Sequence, residues 1–186
     1  DNGYVYIRAN GSVDAQCVPG SQVDIITSSG EYINGVIGKT PIHLLNSEER
    51  GKCQEISSLW IDTGLCKEQV VNKVSIGNPV TIRPNLLYLS ENVITSKSLD
   101  NKIGVFIISQ VLKRLSGVNE KSFDVHGVAT VQEEVGHRGA YVCESKICPD
   151  LTISIDMDFA TDVPNCQKTK YGDIALGRGV VIHRSI

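Results

Sequence analysis

The periodicity of the chain changes once, near Ser96, and that change divides what its two halves can fold into. From Tyr4 to about Ile94 the apolar residues come in short β-type runs, clearest at 23–27, 32–37, 58–62 and 79–83. Gly3, Gly11, Gly20, Gly30, Gly51 and Gly77 punctuate the runs, as a small barrel or sandwich of short strands requires. Lys67, Glu68 and Gln69 are good helix formers and support a short helix over 66–73. Beyond Ser96 the repeat lengthens. Ile103, Phe106, Ile107, Val111 and Leu115 recur at three and four, which predicts a helix over 100–115 with Ser98 or Asp100 available as its cap. Residues 123–132 read as a buried strand, 140–147 as a second helix and 151–156 as a second strand. Helix, strand, helix, strand implies a three-layer α/β domain. The expected organisation is a β-rich domain over 1–94 and an α/β domain over 95–186.

The bulk numbers narrow the function classes. The chain has 186 residues, 41% of them hydrophobic and 21% charged, with a net charge of −3, which is ordinary for a globular protein. Lysines and arginines are scattered, so neither nucleic acid nor an anionic membrane is an expected partner. The longest apolar stretch, 103–108, falls far short of the ~20 residues of a membrane span. The first residues, DNGYVYIRANGSV, have neither a basic start nor an apolar core of the kind a signal peptide carries, and lack an initiator Met, which hints that the start is not the natural one. Six cysteines, none in C-x-x-C spacing, are expected to be reduced and mostly buried, in a cytoplasmic protein.

Three acidic sites share a placement. Asp100 opens the first long helix, Glu133 and Glu134 follow the predicted strand SFDVHGVATVQ, and Asp156 ends the strand LTISID. Catalytic groups in α/β sheets gather at the carboxyl ends of strands, and hard carboxylates there suit divalent ions. Each residue also has a plain structural reading: Asp100 as a helix cap, Glu133 and Glu134 as a solvated pair, Asp156 as a turn cap. Their agreement in topological position is what singles them out.

SKSLDNKIGV (96–105), VATVQEEVGHRGA (128–140), the Asp of ISIDMD (153–158) and ALGRGVV (175–181) resemble the glutamyl-aminopeptidase family of co-catalytic metallopeptidases. That family includes the tetrahedral TET aminopeptidases and proteins often labelled endoglucanase. GVIGKTPIHLL (35–45) resembles the family's segment ending in Pro-Pro-His-Leu within an inserted β-domain. The resemblance implies an α/β fold, with a small β-barrel-like insert of dimerisation type over 1–94 followed by part of a three-layer α/β/α metallopeptidase domain over 95–186. It implies that Asp100 bridges two metal ions, that Glu134 and Asp156 each ligate one of them, and that Glu133 is the general base. Asn101 matches the family's Asn without having to touch metal. The cofactors implied are two divalent metal ions per active site, Zn or Co ahead of Mn or Mg. Peptides are the expected substrates and other copies of the chain the expected partners.

Three departures accompany the resemblance. The family uses one His upstream of its β-insert and another near its C-terminus, and neither has a counterpart here, so the chain is expected to be truncated at both ends. His43, His126, His137 and His183 are read as structural or surface residues; His137, where the family usually has Leu, neighbours the site. Lys102 replaces the family's common Arg, keeping the charge but losing the planar fork. Two functions follow: a metal-dependent aminopeptidase, or a non-catalytic assembly fragment of one. A glycosidase would present aromatic platforms, and one Trp with three Phe offers few.

Overall fold

The computed structural model describes residues 2–118 and 122–183. They divide into two compact units, one built from 2–97 with 130–147, the other from 98–129 (less the undescribed 119–121) with 148–183.

In the first unit, strands β1 (Val5–Tyr6), β2 (Gln22–Ile26), β3 (Tyr32–Gly38), β4 (Trp60–Asp62) and β5 (Val80–Ile82) form one antiparallel sheet in the order β1-β4-β3-β2-β5. The alternation of QVDII explains its register: Val23 and Ile25 are fully buried while Gln22 is exposed, because successive side chains point to opposite faces. Val18, Ile37, Leu59 and Ile61 join them, with Val5, Ile7, Ile33, Ile56 and Val74 packed around the cluster. On the sheet itself Arg83 ties three strands together: its Nε donates to Asp24 Oδ1 and its Nη2 to Asn34 Oδ1, both at 2.9 Å. Gly38 lies opposite Trp60, and a Cβ there would fall 2.6 Å from the indole Nε1, so the indole occupies the space a side chain would need.

Helix α1 (Lys67–Lys73) starts where Gln69 Oε1 accepts the Cys66 N–H at 3.0 Å, which satisfies one of the helix's orphan donors. A two-stranded hairpin, β6 (Leu87–Ser90) and β7 (Val93–Thr95), ends the continuous part of this unit. Glu133–Val135 make a 3₁₀ turn that leads into α3 (Arg138–Ile147).

The second unit holds α2 (Leu99–Leu115) and the single turn α4 (Lys168–Tyr171). Thr161, fully buried, closes the loop that carries α4, with its partners just beyond that turn. Its N–H donates to the Ile174 carbonyl at 2.8 Å, its hydroxyl oxygen accepts the Ile174 N–H at 2.8 Å, and the hydroxyl lies 2.8 Å from the Gly172 carbonyl. Phe159 meets Tyr171 edge to face at 5.7 Å.

Three expectations are corrected. Segments 123–132 and 151–156 are not strands among the described residues. Extended backbone becomes a strand only where a neighbouring ladder takes its N–H and C=O groups, and no described segment pairs with these two. Phe123 and Val131, in the run read as a buried strand, are 67% and 68% exposed. The helix expected from Asp100 is regular only beyond Asn101, since Asp100 (φ −81°, ψ 111°) and Asn101 (φ −118°, ψ 45°) are non-helical. The thiols are not mostly buried either. Cys17, Cys53, Cys66 and Cys148 are exposed and Cys143 and Cys166 half-buried, because most lie on loops or at helix ends away from the sheet's core.

Candidate functional site

Asn101 organises the start of α2. Its Oδ1 accepts the Gly104 N–H at 3.0 Å, capping the helix three residues in, and its Nδ2 donates to the Ile155 carbonyl at 2.8 Å. One amide therefore spends both ends, one on the helix and one on the segment that carries Asp156. Gly104 makes this arrangement fit: it is buried, and a Cβ on it would stand 2.3 Å from Asn101 Oδ1. The hydrogen bond joins the immediate neighbours of Asp100 and Asp156, so two of the four expected site residues belong to one locality of the second unit. Both carboxylates are exposed, and Asp156 Oδ1 also accepts the Met157 N–H at 2.7 Å.

Glu133 and Glu134 belong to the first unit. On a strand their side chains would point to opposite faces, but the chain leaves strand geometry here. The 3₁₀ turn is framed by left-handed residues, Gln132 (φ 57°), Gly136 (φ 114°) and His137 (φ 53°). The N–H groups of Gly136 and His137 both donate to the Glu133 carbonyl at 3.0 Å. Gly139 permits the next step. A Cβ there would fall 2.5 Å from the Val131 backbone nitrogen, which is close enough to block the Gly139 N–H bond to the Val131 carbonyl at 2.9 Å. The turn also brings the His137 ring back over itself, so that Nδ1 lies 3.0 Å from Glu133 Oε1, with Glu133 45% exposed.

Of the remaining histidines, His43 is exposed in the 3₁₀ turn Ile42–Leu44, and His126 lines a depression with Leu112, Leu115 and Phe123. His183 Nε2 lies 2.6 Å from Asp158 Oδ2. The hydrogen bond from His183, with one from the Phe159 N–H, holds the Asp158 carboxyl below its ordinary range. Sequence reading passed over that pair; the single signal for it was Asp158 standing two residues after Asp156.

As donors, Asp100, Asp156 and Glu134 suit a divalent ion: all are exposed oxygen ligands, and the first two are held beside each other's neighbours by an amide. Among the described residues, however, no three His, Cys, Asp or Glu side chains gather into a metal-holding group. The set in this chain is a partial one, divided between the two units.

The FrvX protein of Escherichia coli strain K12 is 32% identical over 181 residues, which are 96% of this chain and 50% of that protein. A TET aminopeptidase from a marine sediment Thaumarchaeota archaeon superposes with a TM-score of 0.80 at 32% identity, over 88% of this chain and 47% of that one. The TET1 peptidase of Pyrococcus horikoshii, which can assemble into a tetrahedron or a large octahedral shell, superposes with a TM-score of 0.69 at 27% identity, over 84% of this chain and 47% of its own. The chain thus has a mixed α/β fold like that of TET aminopeptidases and spans about half the length of the relatives it matches. The family model for M42 glutamyl aminopeptidases matches residues 1–185, and the chain belongs to that family.

Proposed function

We propose that the whole protein is a metal-dependent aminopeptidase that hydrolyses N-terminal residues from peptides. The observation that carries this reading is the Asn101 amide, which links the peptide next to Asp100 to the peptide next to Asp156 in a chain matched almost end to end by an aminopeptidase family. In this reading residues 1–94 are the β-barrel-like insert and 95–186 part of a three-layer α/β/α metallopeptidase domain.

Asp100, Glu134 and Asp156 are the residues that would hold two divalent ions, Zn or Co before Mn or Mg. Such ions, when bound, lower the pKa of water towards neutrality and polarise the scissile carbonyl. Glu133 accepts the proton of the attacking water on a carboxylate oxygen and returns it to the departing amine nitrogen, so that the carboxylate is regenerated. The turn at 133–135 serves this division of labour, because consecutive residues in a 3₁₀ turn are not forced to opposite faces as they are on a strand. Asn101 positions Asp100 and Asp156 without contacting substrate.

A second reading is favoured by the partial ligand set: the chain by itself is an assembly module, contributing contacts between copies through its β-rich unit. The TET1 peptidase's tetrahedral and octahedral shells support assembly of the family. Metal content separates the two. Elemental analysis of the whole protein after dialysis is expected to find divalent metal that falls on Asp100→Asn substitution; no bound metal, in a stable oligomer, favours the assembly module. No helix is long and apolar enough to cross a membrane among the described residues, and a cytoplasmic location is part of the proposal.

A further inference from the structure

We propose that His137 is a positioning residue for Glu133, a role that rests on the aminopeptidase reading above. Three observations converge on it. The His137 Nδ1 to Glu133 Oε1 distance is 3.0 Å, a hydrogen bond in geometry. His137 occupies the left-handed region at φ 53°, an uncommon conformation for a residue with a Cβ, and there the ring folds back over the turn. Its own N–H donates to the Glu133 carbonyl, so one residue fixes both the backbone and the side chain of Glu133.

The physical need is plain. Glu133 is 45% exposed, and an exposed carboxylate on a flexible stem samples several rotamers, of which one suits proton transfer. A donor on Oε1 selects among them and leaves Oε2 to exchange the proton. In the neutral ring the proton sits on Nδ1, donated to Oε1, and stays on His137 through the reaction. His137 thereby acts through Glu133 and does not itself touch the substrate.

The test uses His137→Gly and His137→Asn in the whole protein. Both residues accept a left-handed φ, so neither strains the turn, while Asn keeps a short amide donor that can reach the carboxylate. His137→Gly is expected to lower kcat roughly three- to tenfold, the worth of one exposed hydrogen bond to a charged group, with KM unchanged. His137→Asn is expected to recover most of that loss. In nitrogen-correlated NMR of the unsubstituted protein, His137 is expected as the Nδ1–H tautomer, and Glu133→Gln is expected to change that signature. Wild-type kcat in His137→Gly, or a ring signature indifferent to Glu133→Gln, overturns the proposal. The controls distinguish the failures: no turnover in the folded, metal-loaded unsubstituted protein sinks the aminopeptidase reading and this inference with it; turnover intact in Glu133→Gln removes Glu133 as the base and this inference with that role; turnover abolished in Glu133→Gln but not lowered in His137→Gly sinks this inference alone.

Discussion

Asn101 joins the start of α2 to the segment that carries Asp156. Its side chain caps α2 at Gly104 and holds the Ile155 carbonyl. Replacing it with Ala is expected to cost about 1–3 kcal/mol, the sum of a lost cap and a lost half-buried hydrogen bond, read as a lower urea midpoint. Gly104→Ala is expected to do the same by another route, because its Cβ displaces the amide from 2.3 Å away. Stability unchanged in both variants would remove Asn101 from the account. This residue was partly legible: an Asn three positions before a Gly has the spacing of a cap and its N–H partner. Ser98 and Asp100 obscured it, since both are also good cap residues, and only the backbone angles at Asp100 and Asn101 show where the regular helix starts. The carboxylates were singled out by position and resemblance, whereas the Glu133 to His137 contact depends on a left-handed φ that no side-chain pattern encodes.

At the scale of elements, the sheet was readable because its strands carry their own burial signal. Val23 and Ile25 alternate with polar or half-exposed neighbours, and β2, β3 and β5 lie within a residue of the predicted runs. Ile25→Ala, at a fully buried position, is expected to cost about 2–5 kcal/mol in chemical denaturation, and a loss under about 0.5 kcal/mol would show that the cluster around it is not the core. Segments 123–132 and 151–156 look equally apolar, yet strand formation depends on a partner and the run itself does not reveal whether one is present. A second prediction concerns the loop around α4. The hydrogen bond from Lys168, its charge and then Arg178 hold the Asp173 carboxyl below its ordinary range. A depressed carboxyl contributes its stabilisation above the ordinary Asp range and loses it as pH falls through the lower folded value. Protection of the amides at 168–178, relative to their intrinsic exchange rate at each pH, is therefore expected to fall on acidification below about pH 4, an effect Asp173→Asn abolishes by removing the titrating group. Protection that ignores both pH and the substitution would show the ion pairs to be without consequence.

For the molecule as a whole, the fully described core belongs to the β-rich unit, while the second unit leaves Phe106 59%, Ile153 77% and Leu151 80% exposed. The ligand-type carboxylates are divided between the same two units, and the chain is about half the length of its relatives. Catalysis is thus a property to be sought in the whole protein, where chelation is expected to abolish turnover and added cobalt or zinc to restore it. The most direct test of the account is release of N-terminal residues from a panel of aminoacyl-anilides by the metal-loaded whole protein, measured beside Glu133→Gln. The account predicts turnover that falls by about two to four orders of magnitude in the variant, the range general-base catalysis supplies. Turnover equal in both would contradict the role of Glu133, and none in a folded, metal-loaded protein would contradict the aminopeptidase reading itself.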